Sequence, residues 1–203
     1  MARSSGIRII IMCKAPVPGV VKTRLMCRYS AAEAASLHAA MATTVIARAR
    51  RLFDDVVIAA DDVRHPFFAA FGLPLIAQQD GDLGQRMHRQ LKLAFDDGVH
   101  AALVLGTDSP HMPDTRLFAA ATALKQVDVV VGPVDDGGYD LLGMRRMLSV
   151  FDQVVWSSGQ VLDQTLRNIH DQHLSVQQLD TSFDVDFPDD IDRAKMAGWT
   201  LVS

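Results

Sequence analysis

The chain has 203 residues, a net charge of −4, 49% hydrophobic and 22% charged residues, which describes one ordinary globular domain with room for a sizeable core. No run of about 18 apolar residues exists to span a membrane, and the acidic balance gives no reason to expect duplex nucleic acid. Two cysteines, Cys13 and Cys27, make neither a disulfide framework nor CxxC metal spacing, so both are expected reduced, in the cytoplasm.

Ile7 to Ile11 is an apolar β-branched run and reads as a buried first strand. The next stretch, Met12 to Leu25, is too rich in Pro and Gly for regular structure and carries Lys14, Lys22 and Arg24. The first 28 residues hold six basic side chains (Arg3, Arg8, Lys14, Lys22, Arg24, Arg28) and no acid, so the remainder carries 14 basic against 24 acidic residues, a net of −10. A cationic, shaped loop after the first strand of an α/β chain suits a polyphosphate; a solvated basic terminus is the plainer reading. Lys14 and Lys22 are the direct phosphate candidates, while Arg24 either points the same way or pairs with an acid.

Ser30 to Glu33 is a capping box that opens a long Ala-rich helix to about Leu52. Asp55 to Ala60 reads as a second strand, Pro66 to Phe71 as a short helix and Pro74 to Ala77 as a third strand. The loop Gln78 to Gly84 leads into a helix over 85–97; there Asp82, or the free amides near Gly84, either cap the helix or meet a nucleobase or phosphate. Ala101 to Leu105 is a buried strand running into Gly106-Thr107-Asp108-Ser109-Pro110. A helix over 114–125 and a strand over 128–131 lead to Gly132 to Gly143, GPVDDGGYDLLG. There Asp135 and Asp136 beside Gly137 form either a tight turn or a carboxylate site for a substrate hydroxyl. Helical patterns near Arg145 to Phe151 and Gln160 to His170 follow, Trp156-Ser157-Ser158 reading either as a pocket wall or as a helix entry with Ser158 as cap, and a final helix runs over 188–197. No linker or repeat interrupts the sequence, so residues 1–203 read as a single domain built on a largely parallel sheet covered on both faces. Ligands in such a sheet gather beyond the carboxyl ends of strands, which selects the loops 14–24, 106–110 and 132–139.

GxxxxGK[ST], GxGxxG, HExxH and GxSxG are all absent, which removes a P-loop, a dinucleotide fingerprint, a zincin site and a nucleophile elbow. Asp108 either caps its turn or holds a divalent cation bridging a diphosphate, since magnesium takes one or two carboxylates plus phosphate oxygens and water. Asp180 to Asp192 holds six Asp and no basic residue. Asp189 and Asp190 suit the positive end of the last helix, whereas Asp184 and Asp186 point the same way in an extended segment; Asp186 is preferred over Asp184 as second metal ligand. His111 reads as a rim residue, Trp156 as packing, and Cys13 as buried and inert.

In order, KAPVPGVVKTRL, GDLGQRM, GTDSP, GPVDDGGYDLLG, WSSGQVL and DVDFPDD resemble a bacterial glycosyltransferase-A-like family, DUF2064, also called arsenosugar-biosynthesis-associated transferases. The first loop is also similar to that of 2-phospho-lactate guanylyltransferases, and DVDFPDD to the VDTPEDL segment of sugar nucleotidyltransferases. The resemblance implies a nucleotide-diphospho-sugar transferase (GT-A) fold, a Rossmann-like three-layer α/β/α arrangement with a mixed, mostly parallel sheet. By the same likeness Lys14, Gly19, Lys22 and Arg24 would meet phosphates, Asp108 and Asp186 would hold Mg²⁺ or Mn²⁺, and Lys22 with Asp108 would form the catalytic pair. The implied activity is transfer from a nucleotide or nucleotide-sugar to a small-molecule acceptor, by glycosyl or by nucleotidyl transfer; a nucleotide-binding protein without turnover is the rival reading. The sequence departs from common nucleotidyltransferases in lacking the LxxGxGxR loop, and from many glycosyltransferases in showing one Asp where they show DxD. A monomer and a homodimer are both left open.

Overall fold

The computed structural model describes residues 4–200; Arg3 lies outside them. The elements in chain order are β1 (Ser4–Cys13), α1 (Ala31–Leu52), β2 (Phe53–Ala60), β3 (Leu75–Ala77), α2 (Leu83–Asp96), β4 (Ala101–Leu105), α3 (Asp114–Ala123), β5 (Val129–Pro133), β6 (Tyr139–Met144), α4 (Val161–Asp171), β7 (Val176–Gln178) and α5 (Pro188–Met196), with 3₁₀ turns over Thr23–Cys27 and Pro66–Phe71. Seven strands form one sheet in the order β3-β2-β1-β4-β6-β5-β7. Every pairing is parallel except the two made by β6, which runs antiparallel to both β4 and β5.

The alternation of β1 decides which helix covers which face. Ile9 and Ile11 join one core with Ala42, Val45 and Ile46 of α1 and Leu117 and Ala120 of α3. Ile10 joins the other core, with Met87 and Leu91 of α2 and Ile169 of α4. All three isoleucines are fully buried, so each contributes about 1.5–3 kcal/mol of burial. A third, smaller cluster lies outside the sheet. Leu25, Met41, Val185, Ile191, Ala194 and Trp199 pack together there, and Trp199 Nε1 donates to Thr44 Oγ1 at 3.1 Å. This cluster fastens residues 183–199 to α1 and to the turn after β1.

Two expectations need correction. Residues 145–151 form no helix: Arg145 and Arg146 bind Asp128 at 3.2 and 3.3 Å, and Val150 and Phe151 are buried against the sheet. The carbonyls there accept from side chains of α4 and of the residue that caps it, Val150 and Asp152 from Asn168 Nδ2 and Ser149 from Gln172 Nε2. Ser158 is not the cap residue; its hydroxyl donates to the Val155 carbonyl at 2.6 Å and accepts from the Gln160 amide at 3.3 Å, and Gln160 holds the cap position of α4 without a side-chain capping bond. The structure also adds β6 and the short edge strand β7. Gly143 in β6 allows close packing, since a Cβ there would lie 2.7–3.0 Å from Leu103, Leu124 and Val130. Asp82 caps α2 in a reciprocal box with Gln85, so the helix begins two residues before the position expected.

Candidate functional site

Beyond the carboxyl ends of β1 and β4 opens a cleft of about 510 Å³, lined by the loop after β1, the Gly106–Asp108 turn, Tyr139 and Asp140 of β6, and Asp184 and Asp186. The floor of the first loop is fixed from three directions. Asp61 accepts from the Ala15 amide at 2.7 Å. His38, buried in α1, places Nε2 2.9 Å from the Lys14 carbonyl; burial holds its pKa below the ordinary histidine value, so it is neutral and donates there. Gln78 Nε2 donates to the carbonyls of Cys13 and Ala59, while Arg86 holds its Oε1 at 2.8 Å.

Lys22 is the centre of the cleft. Its backbone sits at φ 48°, ψ 42°, a left-handed conformation uncommon for a residue with a side chain. The ammonium lies 2.9 Å from Asp108 Oδ1 and 2.9 Å from Asp186 Oδ1, and donates to the Val185 carbonyl at 2.6 Å. Its side chain is 6% exposed, that of Asp108 42%. Burial works against the charge on Lys22, but Asp108 and Asp186 outweigh it and hold the pKa above the usual lysine value. Burial likewise opposes ionisation of Asp108, which Lys22, His38 and Lys14 nonetheless hold below the usual carboxylate range. Arg24 reaches Asp186 Oδ2 at 2.6 Å, the acid-pairing alternative of the two considered. The 179–187 segment is carried over the cleft by backbone bonds from Leu179 to Val131, Ser182 to Pro133 and Val185 to Asp108.

Of the residues singled out in the sequence, Lys14, Lys22, Arg24, Asp108 and Asp186 line this cleft. The others do not. Gly19, at φ 79°, shapes the exposed turn of the first loop. Asp82 is occupied as a helix cap, and Gly84 packs on Trp156, whose ring a Cβ would approach to 2.5 Å. Asp135 pairs with Arg193 of α5 at 2.6 Å, and Asp136 accepts from the Gly138 amide. Gly137, at φ 87°, lets the turn approach Gly159, whose oxygen a Cβ would meet at 2.2 Å. The tight turn is present at Asp135 to Gly137, where the chain reverses into β6, and none of the three lines the cleft.

Asp184, the alternative to Asp186 as second metal ligand, also lines the cleft, as do Asp140, His38, Gln78 and Arg86, which were not among the residues expected there. Asp140 is bound by Arg116 Nε and Nη2, each at 3.0 Å; burial pushes its carboxyl up to about 6 against the pull of Arg116, which still leaves it ionised at neutral pH. Asp184 accepts from Ser109 Oγ at 2.6 Å, and burial, helped by Asp108, pushes it up to about 7. A carboxyl whose pKa is raised by folding binds more protons in the native than in the unfolded chain, so its contribution to stability falls as pH rises from about 4 to about 7. In metal-free buffer the protein should accordingly lose more melting temperature between pH 5 and pH 8 than its Asp184→Asn variant. Parallel curves for the two would remove Asp184 as the cause.

The carboxylates of Asp108 and Asp186 converge on a single positive centre, the Lys22 ammonium. Two carboxylates aimed at one point are the protein donors that magnesium or manganese uses alongside phosphate oxygens. Among the described residues no group of three or more His, Cys, Asp or Glu is arranged to hold a metal ion.

The DUF2064 family, described as "uncharacterized protein conserved in bacteria", matches residues 32–158. The chain belongs to the DUF2064 family. The DUF2064 protein is also similar in structure to a candidate nucleotide-diphospho-sugar transferase from Desulfovibrio desulfuricans G20, at 33% identity over 91% of this chain and 84% of that one, with a TM-score of 0.85. Its fold recurs in CMP:2-keto-3-deoxy-manno-octonic acid synthetase complexed with CTP (14% identity, 94% and 97% of the chains, TM-score 0.63). It recurs again in glucosyl-3-phosphoglycerate synthase from Mycobacterium tuberculosis with Mn²⁺, UDP and glucosyl-3-phosphoglycerate (10% identity, 85% and 68%, TM-score 0.56). No curated protein sequence matches the DUF2064 protein significantly. Its fold is thus the nucleotide-diphospho-sugar transferase fold, with the mixed, mostly parallel sheet that the sequence led us to expect. None of its helices among the described residues is long and apolar enough to cross a membrane.

Proposed function

We propose that this protein is a divalent-metal-dependent transferase that moves a glycosyl group from a nucleoside-diphosphate sugar to a small-molecule acceptor, working as one domain in the cytoplasm. The observation that carries the reading is the convergence of Lys22, Asp108 and Asp186 at the carboxyl end of the sheet. Likeness to the D. desulfuricans protein supports it. Asp108 and Asp186 would hold Mg²⁺ or Mn²⁺, which when bound neutralises the negative charge gathering on the departing nucleoside diphosphate. Lys14, Lys22 and Arg24 supply further positive charge to the same oxygens. In the transfer the bond between sugar carbon and phosphate oxygen breaks, a bond to the acceptor oxygen forms, and the acceptor hydroxyl gives up its proton. Positioning and charge do this work, with no covalent protein nucleophile required.

One observation favours nucleotidyl transfer as second reading. Three cations on a single loop, Lys14, Lys22 and Arg24, suit a triphosphate, whose pyrophosphate would leave as a phosphorylated small molecule attacks the α-phosphorus. Thermal shift across UDP- and GDP-sugars and nucleoside triphosphates, each with and without Mg²⁺, separates the readings. We expect a metal-dependent rise with a nucleotide-sugar, and nucleotide-sugar hydrolysis in place of pyrophosphate release from a triphosphate. Stabilisation without turnover of either kind would point to a binding protein, and no stabilisation at all would dismiss the site.

A further inference from the structure

The Lys22 ammonium has three N–H donors, and the structure gives it three acceptors: Asp108 Oδ1, Asp186 Oδ1 and the Val185 carbonyl oxygen, at 2.9, 2.9 and 2.6 Å. The side chain is 6% exposed, so water does not share the duty. It occupies the point on which the two carboxylates converge. A divalent cation held by both of them has to take that point, and the ammonium has to leave it. We propose that Lys22 is an internal counter-ion that keeps free divalent metal out of the cleft, and that it yields only to metal arriving with a diphosphate, to which the displaced ammonium then binds. The inference rests on the reading of Asp108 and Asp186 as the metal-holding pair.

Charge explains the coupling. With the ammonium in place, Asp108, Asp186 and Lys22 sum to −1, and Arg24 on Asp186 brings the group to zero. Adding a divalent cation alone leaves the group at +2 and an ammonium without its partners in a poorly hydrated position, which is costly. A diphosphate brought with the metal supplies two or more negative charges, so Lys22 and Arg24 exchange carboxylates for phosphate oxygens and the group stays near neutral. Binding of either component then favours binding of the other, and thermodynamic linkage makes the effect reciprocal. The backbone of Lys22 fits such an exchange. It is left-handed, φ 48°, its carbonyl accepts from the Leu25 amide at 2.9 Å, and its side-chain bonds lie in a loop whose next-but-one residue toward the amino terminus, Val20, is 60% exposed.

The test measures Mn²⁺ binding by electron paramagnetic resonance, with inorganic pyrophosphate as a base-independent diphosphate, in the full chain and in Lys22→Met and Lys22→Gln. Gln keeps a donor for the Val185 carbonyl while losing the charge, so it serves if Met proves poorly folded; circular dichroism checks both. The wild-type protein should bind Mn²⁺ at least about 10-fold more tightly with pyrophosphate than without, within the usual range of coupling between sites. The uncharged variants should take up Mn²⁺ alone about 10-fold more tightly than wild type and show little further gain from pyrophosphate. If wild type binds Mn²⁺ with pyrophosphate but the variants bind the metal alone no better than wild type does, the exclusion role is wrong and the metal site stands. If no form binds Mn²⁺ with or without pyrophosphate, the metal site itself is wrong and the inference falls with it.

Discussion

Replacing Asp108 by Asn is expected to lower turnover by about 10²–10³-fold, the range seen when one preorganised electrostatic group is lost from an active site, and to abolish the metal-dependent part of nucleotide stabilisation. The substitution removes one charge and no volume. Asp108 also serves the fold, but through its backbone: its carbonyl accepts from the Val185 amide at 2.8 Å and so helps hold the 179–187 segment over the cleft. Asparagine preserves that bond, and its amide oxygen still accepts from Lys22. The carboxylate side chain is partly open, at 42% exposure, so its contribution to folding is modest. Asp108→Asn should therefore give a native circular dichroism spectrum while losing the Mg²⁺ response. A variant that still melts higher with Mg²⁺ and nucleotide than with nucleotide alone would take Asp108 out of the site.

The largest loss of stability is expected from Arg116→Met. Arg116 and Asp140 are 8% and 2% exposed, and the guanidinium serves three neighbours at once. It binds Asp140 with two nitrogens, donates to the Pro133 carbonyl at 3.1 Å, and donates to the Asp180 carbonyl. Gly132 makes room for the pair, since a Cβ there would lie 2.4 Å from Asp140 Oδ1 and 2.7 Å from Arg116 Nη2. Removing Arg116 leaves a buried carboxylate without its cation and the Asp180 carbonyl without that donor, while the Pro133 carbonyl keeps the Ser182 amide; a loss of about 3–5 kcal/mol follows by analogy with other broken buried pairs. Asp140, whose pKa burial already pushes to about 6, would climb further, so the variant should lose stability with rising pH more steeply than wild type. The double variant Arg116→Met/Asp140→Leu removes both charges and should recover a substantial part of the loss, because apolar replacement of a buried pair is often neutral. Urea denaturation at pH 5 and pH 8 measures all three. A single-variant loss below about 1 kcal/mol would mean that the pair is not buried as described.

The parts of the fold that the sequence announces are those where one signal has no competitor. Ile7 to Ile11, broken only by Arg8, and Ala101 to Leu105 are apolar β-branched or aliphatic runs, and both lie in strands whose apolar residues are buried. Ser30 with Glu33 marks the start of α1, and the box is present. The β6 strand was harder to see, because Gly137, Gly138, Asp140 and Gly143 interrupt its apolar pattern; those residues serve a turn, an ion pair and a close approach instead. β7 is a three-residue edge strand, mostly polar, and carries almost no periodic signal. Residues 145–151 have helical apolar spacing, but long-range bonds from α4 and Asp128 settle their course. Site residues followed the same division. Position after a strand pointed to Lys14, Lys22 and Asp108, yet it pointed equally to Asp135 and Asp136, since a sequence does not say which way a turn faces. Asp140, a lone carboxylate within an apolar stretch, and His38, a histidine on the inward face of an Ala-rich helix, were each detectable as buried polar groups needing a partner.

The cleft is assembled from parts of the polypeptide that are far apart in sequence: Lys22 and Asp186, which touch through their side chains, stand 164 positions apart. A growing chain on the ribosome can pair β1 with β2 and β4 long before residue 186 has been synthesised, but it cannot complete this centre. Closing so long a loop is entropically slow relative to local steps. Catalytic competence should therefore lag behind acquisition of the sheet during synthesis, and appear only when the acidic segment around Asp186 reaches the basic loop around Lys22.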